Sequence, residues 1–487
     1  MPEKPNENLI KDTTKKPETE SGAGLEISLS PELENATKSL SRLKDAIDHD
    51  KSVKLSQMRQ VQEAVEDLTV NIGGTEISLG EIEKINWKMN FDIEKEIKQG
   101  DFRHICNLAY ITPEIAELLS HHEGHLFLQS LVCISEEAAE RLSHHKGSLD
   151  IGHMTSLSDK VIEHLSHHPD NLFFSRLASL TDKAAEHLSH HQGQLFIISL
   201  ASLSDKAAEH LSHHQGELTI SLDSLSDQTA EYLFRHQKRL QIEGLTTLSE
   251  RVAEYLSHCQ GDLWLGNLTS LSDKAAEHLS NHQGILRLDG LTSLSDEAVK
   301  HLSHHQGELN LNGLTSLSDK AAEYFSHHQG YLDLIRITSL SDQAAEYLSH
   351  HQGEFEEFYE LASISDKGIE YLSHYRGYLG LPKLTFLSDQ VAEHLSRHKG
   401  GLGLDNLTSL SDKAAEHFSR LQGKLHLCGL VSLSDKAAEH LSHHQGYLAL
   451  GSLENLSDKA AKHLARHEGE VYIFDEVVKK KIERYKK

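Results

Sequence analysis

Basic charge is in short supply in this sequence: 48 Lys and Arg stand against 74 Asp and Glu, a formal net charge of −26 with histidine neutral. That balance argues against nucleic acid as a partner, because neutralising phosphates needs a basic face. A protein or peptide suits better, and a basic one best of all. Cysteine is scarce too, with Cys106, Cys133, Cys259 and Cys428 far apart and in no CxxC spacing. Neither a disulfide framework nor a thiolate zinc site is indicated, which points to a reducing compartment. No apolar run approaches the roughly 18 residues of a membrane helix. The opening MPEKPNENLIKDTTKKPETESGAG lacks a signal peptide's apolar core. The expectation is a cytoplasmic protein with no membrane contact. Trp, Met and Pro are few, while leucine dominates the apolar residues.

What is abundant is repetition. Gly307 to Gln329 reads GELNLNGLTSLSDKAAEYFSHHQ, and Gly330 begins the phrase again. Counted from that glycine, sixteen units run from Asp101 to Glu468. Every step is 23 residues except Gly216 to Lys238, which is 22, and Gly353 to Gly377, which is 24. A fixed period of this length means one long array rather than several globular domains. Within a unit, ELNLN alternates polar and apolar residues and reads as a short strand with Leu309 and Leu311 inward. Ser318 and Asp319 supply a helix N-cap and a favourable charge beside it. Ala321, Ala322 and Phe325 place small and large residues on the face against the strand. His327 and His328 fall at the helix end, and Gly330 is expected to close it in a left-handed conformation.

LxLxGLTSLSDKAAEHLS resembles the leucine-rich repeat, whose LxxLxLxxN motif is followed by a variable return segment. The resemblance covers about three quarters of the chain. It departs from the motif where Asn or Cys is usual, since Leu268, Leu291 and Leu314 stand there instead. It implies an α/β curved solenoid with a parallel concave sheet, short helices on the convex side, and protein recognition on the concave face.

The flanks differ from the array. Residues 1–24 are polar and Pro-rich and read as a disordered lead. Residues 25–100 read as a mostly helical N-terminal cap, with two helices built on Leu33, Ala36, Leu40, Leu43 and Ile47 and then on Leu55, Met58, Val65 and Leu68. Gly73 and Gly74 suit a tight turn between short strands. The array occupies 101–468. Residues 469–487 read as a last strand and a basic helix, VVKKKIERYKK, acting as a C-terminal cap.

If the leucines point inward, the residue three after each mark points out of the concave sheet. The series includes His104, Phe127, Asp150, Phe173, Phe196, Thr219, Gln241, Trp264, Arg287, Asn310, Asp333, Glu356, Gly380, Gly403, His426, Ala449 and Tyr472. It varies far more than SLSDKAAEHLS does, as an individualised face on a uniform scaffold should. Phe127, Phe173, Phe196 and Trp264 form an aromatic stripe suited to anchoring a partner. Tyr331, Asp333, Glu354, Glu356, Glu357 and Tyr359 make an acidic and aromatic patch beside the 24-residue unit, and Arg287 and Tyr378 complete the candidate surface. The plainer alternatives are that the varied positions have drifted, or that the charges are simply solvated.

Histidine is the other abundance, at 38 residues. HxxxH pairs recur at His164/His168, His187/His191, His210/His214, His278/His282, His301/His305, His394/His398 and His440/His444. That spacing could set two imidazoles on one helical face for zinc or nickel, yet no carboxylate or cysteine completes a ligand set. The reading adopted is structural surface histidine, with no metal site and no cofactor. No single histidine stands out as a general base, so no enzyme is indicated. Full protonation would carry the charge to −26 + 38 = +12. With an ordinary pKa of about 6.5 the change should begin in mild acid, altering stability or self-association. The function expected is a non-catalytic interaction scaffold binding a protein or peptide on the concave sheet. The alternative is a metal-binding or pH-responsive protein.

Overall fold

The computed structural model describes residues 69–72, 75–78 and 108–486, apart from 109, 132, 153, 356 and 357. The chain divides into two units, Met1–Asp92 and Ile93–Lys487. In the first, Thr69–Ile72 pairs antiparallel with Thr75–Ser78, Val70 opposite Ile77, which are the short strands expected around Gly73 and Gly74. The lead, the two N-terminal helices, His104, Cys106, Glu356 and Glu357 lie outside the described residues.

The second unit is a stack of strand, bend and helix. Leu309–Asn310 lies parallel to Leu332–Asp333 with Leu309 beside Leu332 and Asn310 beside Asp333, and the same 23-residue register recurs along the array. Leu309, Leu311 and Leu314 are buried, as are Ala321, Ala322 and Phe325 on the facing helix Asp319–Phe325. Small alanines let the helix approach, so each unit buries one apolar layer against the next. Neighbouring strands sit about 4.8 Å apart whereas packed helices need about 8–10 Å. The sheet is therefore the inner, concave side. The fold is the leucine-rich-repeat-like α/β solenoid that the sequence implied.

Where the usual motif has Asn, Leu268, Leu291 and Leu314 are buried, and their amide groups donate to the carbonyls of Leu265, Leu288 and Leu311 at 3.3, 3.2 and 3.0 Å. The bend satisfies itself and needs no side-chain amide. The Ser-Asp pair does more than cap. Ser318 Oγ accepts from the Ala321 amide at 2.9 Å and donates to the Asp296 carboxylate of the preceding unit at 2.6 Å. Ser341 to Asp319, Ser411 to Asp389 and Ser457 to Asp435 repeat that link. The helix starts are thus laced together along the stack.

The glycines correct one expectation. Among the described residues, positive φ occurs only at Gly124, Gly147, Gly244 and Ser199, so Gly330 is not a left-handed closure. It is glycine because a Cβ there would stand 2.1 Å from the Gly307 carbonyl oxygen and 2.9 Å from His328 Nε2. Close approach of successive units is what excludes a side chain.

Among the described residues the strands group into two sheets. Ten strands run from Leu126–Phe127 to Leu332–Asp333, and five from Leu379–Gly380 to Val471–Tyr472. Between them lies the 24-residue unit, where Phe355 forms only an isolated bridge to Leu332. Its extra residue is absorbed by an aromatic cluster. Phe355 packs 5.1 Å from Tyr375 and 5.8 Å from Phe358, and the Tyr375 hydroxyl donates to the Gly353 carbonyl at 3.0 Å. At the far end, helix Glu476–Glu483 buries Val478 and Ile482, and Lys481 donates to the Leu456 carbonyl at 2.6 Å.

Candidate interaction surface and the buried histidine row

The sheet face is built from the residues between the inward leucines. Phe173 and Phe196, on paired strands, stack with ring centroids 4.1 Å apart and planes 5° from parallel. Phe127 is 52% exposed, two strands away through Asp150. These three are available as an apolar platform. Trp264 is not free in the same way. Arg239 lies 4.2 Å and Arg287 4.5 Å from its ring centre, and the indole nitrogen is buried without a partner. Both arginines are tied in turn, Arg239 to Glu217 and Arg287 to Asp289 at 3.2 Å. Cation–π stacking thus holds Trp264 as a spacer between two charges rather than as an open anchor.

Farther along, Asn310 and Asp333 are only 5% and 8% exposed. They lie in the floor of the face, not on its crest. Burial raises the Asp333 carboxyl's pKa, with hydrogen bonds from Asn312 and the Ile335 amide opposing. Tyr331 is half-buried on the neighbouring strand end. Tyr378 stands apart from this group, beside the five-stranded sheet. Its ring covers Gly401 and Gly403, and meets His426 edge-on at 5.8 Å. The sequence-selected residues therefore separate into an aromatic group at 127–196, a polar group at 264–333, and Tyr378 alone.

The histidines overturn the surface reading. In each HxxxH pair the first residue is partly exposed on the helix, whereas the second lies past the helix end and is buried: His168 1%, His191 0%, His214 2%, His282 0%, His305 1%, His398 2% and His444 1%. The two rings of a pair do not share a face. The buried rings instead stack on those of adjacent units. Centroid separations are 5.9 Å for His191–His214, 6.2 Å for His214–His236, and 6.0, 6.4 and 6.1 Å through His282, His305, His328 and His351, with planes within 17° of parallel. The preceding histidine in the HH dipeptide does the capping. His190, His213 and His327 place Nδ1 2.8–2.9 Å from the carbonyl of the glutamate four residues back.

Several buried rings donate to backbone of the stack. His145 Nε2 reaches the Gly124 carbonyl at 2.9 Å, His351 Nδ1 that of Phe325 at 3.0 Å, and His467 Nε2 that of Gly446 at 3.0 Å. A carbonyl only accepts, which fixes the proton on those nitrogens. Burial, followed by repulsion from stacked neighbours, pushes the pKa of His214 and His305 down to about 4. His168, His236 and His351 are likewise held at about 4, with burial the main cause. The row is a neutral interior element past the helix ends, distinct from the bend where the motif's Asn would stand. Sequence reasoning missed it although the signal was there. At the position two before each mark, His is replaced only by Cys259, Tyr375 and Leu421; at the exposed position before it, by Arg and Asn.

Chemistry elsewhere is muted. Burial pushes the Cys259 thiol up to about 12 and, with Asp405 beside it, the Cys428 thiol up to about 11. Neither is a thiolate near neutrality. Among the described residues no group of three or more His, Cys, Asp or Glu is placed to hold a metal, and no helix is long and apolar enough to cross a membrane.

No protein-family model matches the chain, and no curated protein matches it. Similar solved structures include a leucine-rich-repeat protein of Leptospira interrogans, 16% identical at a TM-score of 0.33 over 77% of this chain and 97% of that one. A chain of the Drosophila Toll–Spatzle complex is 16% identical at 0.35 over 68% of this chain and 44% of its own length. An internalin of Listeria monocytogenes is 11% identical at 0.26 over 78% and 95%. Scores of this size add nothing to the fold assignment. It rests on the chain's own strand–helix units, their inward leucines and their parallel 23-residue register, which make this a leucine-rich-repeat-like array.

Proposed function

We propose that the chain is a non-catalytic scaffold that recognises a protein or peptide on its concave sheet face. The observation that carries this is the Phe127, Phe173 and Phe196 group: apolar rings left on the sheet face while the leucines beside them are buried. Exposed aromatics of low side-chain entropy suit anchoring positions. The inert thiols favour a binding role over catalysis, and free Cys259 and Cys428 accord with a reducing, cytoplasmic setting.

The test is capture from native cell extract with the full chain and its Phe173→Ala/Phe196→Ala variant. Loss of the captured protein at unchanged melting temperature supports the sheet face. Undiminished capture by the variant contradicts it. A second reading, a pH-responsive protein, is favoured by the buried histidine row. It would show as a partner released in step with loss of fold as the pH falls from 7 toward 4.

A further inference from the structure

The polar floor beside Trp264 has acceptors with nothing to accept. Asn310 is 5% exposed and its Oδ1 has no hydrogen-bond partner, although its Nδ2 donates to Glu308 at 3.1 Å. Asn312 Oδ1 and Asp289 Oδ1 are also buried and unpartnered. The register places Arg287, Asn310 and Asp333 side by side on three successive strands, about 4.8 Å apart. Asn312 and Asp289 follow two residues along the same face. The unmet atoms of Asn310, Asn312 and Asp289 are all oxygens, whereas the unmet nitrogens beside them, Trp264 Nε1 and Arg287 Nε, belong to the stacked Trp–Arg wall.

Charge agrees with the hydrogen-bond deficit. On the face from Glu217 to Glu354, Arg239 and Arg287 are spoken for by Glu217 and Asp289 and by the Trp264 ring. No cationic side chain pairs with Asp262, Glu308, Asp333 or Glu354 among the described residues. Asp262 accepts from the Ile285 amide, and Asp333 from the Ile335 amide and the Asn312 side chain. An acceptor buried without a donor costs about 1–3 kcal/mol, and an incoming donor group recovers that cost. A cation recovers more, because hydrogen bonds to a charged group are the stronger kind.

We propose that Asp289, Asn310, Asn312 and Asp333 form a cation-recognition subsite that takes the guanidinium or ammonium group of a basic peptide segment. It deepens the sheet-face reading and rests on it. The tied Arg287 and Trp264 form one wall, so an anionic segment meets no free positive charge there. The cation enters from the sheet face, Asn310 and Asn312 turning their carbonyl oxygens to it.

The probe is a fluorescein-labelled decapeptide alternating Arg and Ser, with its Glu and Ser counterpart as control, followed by anisotropy with the full chain at low ionic strength. Asn310→Leu leaves the charge unchanged and removes an acceptor. It should weaken the arginine peptide about tenfold, the equivalent of one lost charged hydrogen bond. Asp333→Asn keeps the shape and should also weaken it, which covers the case where Asn310→Leu melts early. Glu439→Gln, on an exposed helix face, should change binding less than twofold. Equal losses in all three variants would show bulk attraction to an acidic protein and overturn the subsite, as would no loss in Asn310→Leu. Calcium alone is the further arm. If it displaces the peptide and shifts the Trp264 emission of wild type but not of Asn310→Leu, the cluster is a metal site and the peptide assignment falls. The two readings fail separately. A captured partner lost with Phe173→Ala/Phe196→Ala, alongside peptide binding indifferent to Asn310, sinks the subsite and leaves the scaffold standing.

Discussion

The ten-stranded and five-stranded stretches are made of the same unit and treat its open face in opposite ways. In the first, the outward positions hold Phe127, Phe173, Phe196, Trp264, Arg287 and Asn310, with Phe127 exposed, Phe173 and Phe196 half-buried, and the Asn310 Oδ1 acceptor unmet. In the second they hold Gly380, Gly403, His426, Ala449 and Tyr472, and part of the space above the glycines is filled by the chain itself. Tyr378 lies on Gly401 and Gly403, and Phe474 lies on Gly451, where added Cβ atoms would come within 2.7 Å. The interior row differs in parallel. It runs unbroken through His282, His305, His328 and His351, but is interrupted by Tyr375 and Leu421 around His398. One backbone thus supports a face carrying large outward side chains and a face whose glycines are partly covered by the chain's own rings. At the interior position His gives way only to other buried residues, Cys259 in the first stretch and Tyr375 and Leu421 around the second.

Acid should break that comparison most visibly. A histidine that ordinarily titrates near 6.5 but is held at about 4 in the stack binds its proton more readily when unfolded. Its contribution is fully present above about pH 6.5 and is lost as pH falls toward 4, on the order of 3 kcal/mol for each such ring. Five rings are held there, His168, His214, His236, His305 and His351, all on or beside the ten-stranded sheet. Melting by circular dichroism should fall steeply between pH 6 and pH 4. Amide exchange should show 195–351 opening before 379–472. The expected response to acid is therefore loss of fold, not a titrating surface.

A smaller effect tests the contact between units. Gly330→Ala puts a methyl against the Gly307 carbonyl and His328 and should cost about 1–3 kcal/mol or more by overpacking. Gly266→Ala, whose Cβ would meet nothing nearer than Asp289 at 3.9 Å, should stay within about 0.5 kcal/mol. Urea midpoints of the two variants decide. Smaller again, Ser318→Ala removes both a cap and the link to Asp296 and should cost about 1–2 kcal/mol by the same measurement. Smallest of all, Leu421→His restores a ring between His398 and His444. It should leave stability at pH 8 within about 1 kcal/mol while steepening the acid loss in the five-stranded stretch.

Much of this was legible in the sequence. The period fixed the leucines, the alanine pair and the Ser-Asp cap, because each answers to spacing within one unit. What escaped depends on the neighbouring unit. His328 and Gly330 are ordinary helix-end residues until the next turn of the stack lies 2.1 Å from a would-be Cβ. Trp264 reads as an anchor until Arg239 and Arg287 from adjacent strands take its two faces. The extra residue at 353–377 was countable, but the aromatic cluster of Phe355, Phe358 and Tyr375 in that unit depends on how their rings pack.

Hydroxyl-radical footprinting of the chain with and without its captured partner is the most direct test of the sheet-face account. Protection at Phe127, Phe173 and Phe196, with Tyr378 and Phe474 unchanged, is the predicted result. Protection confined to helix-face residues such as Tyr255, Tyr324 and Tyr347, with the three phenylalanines as reactive as before, would contradict it.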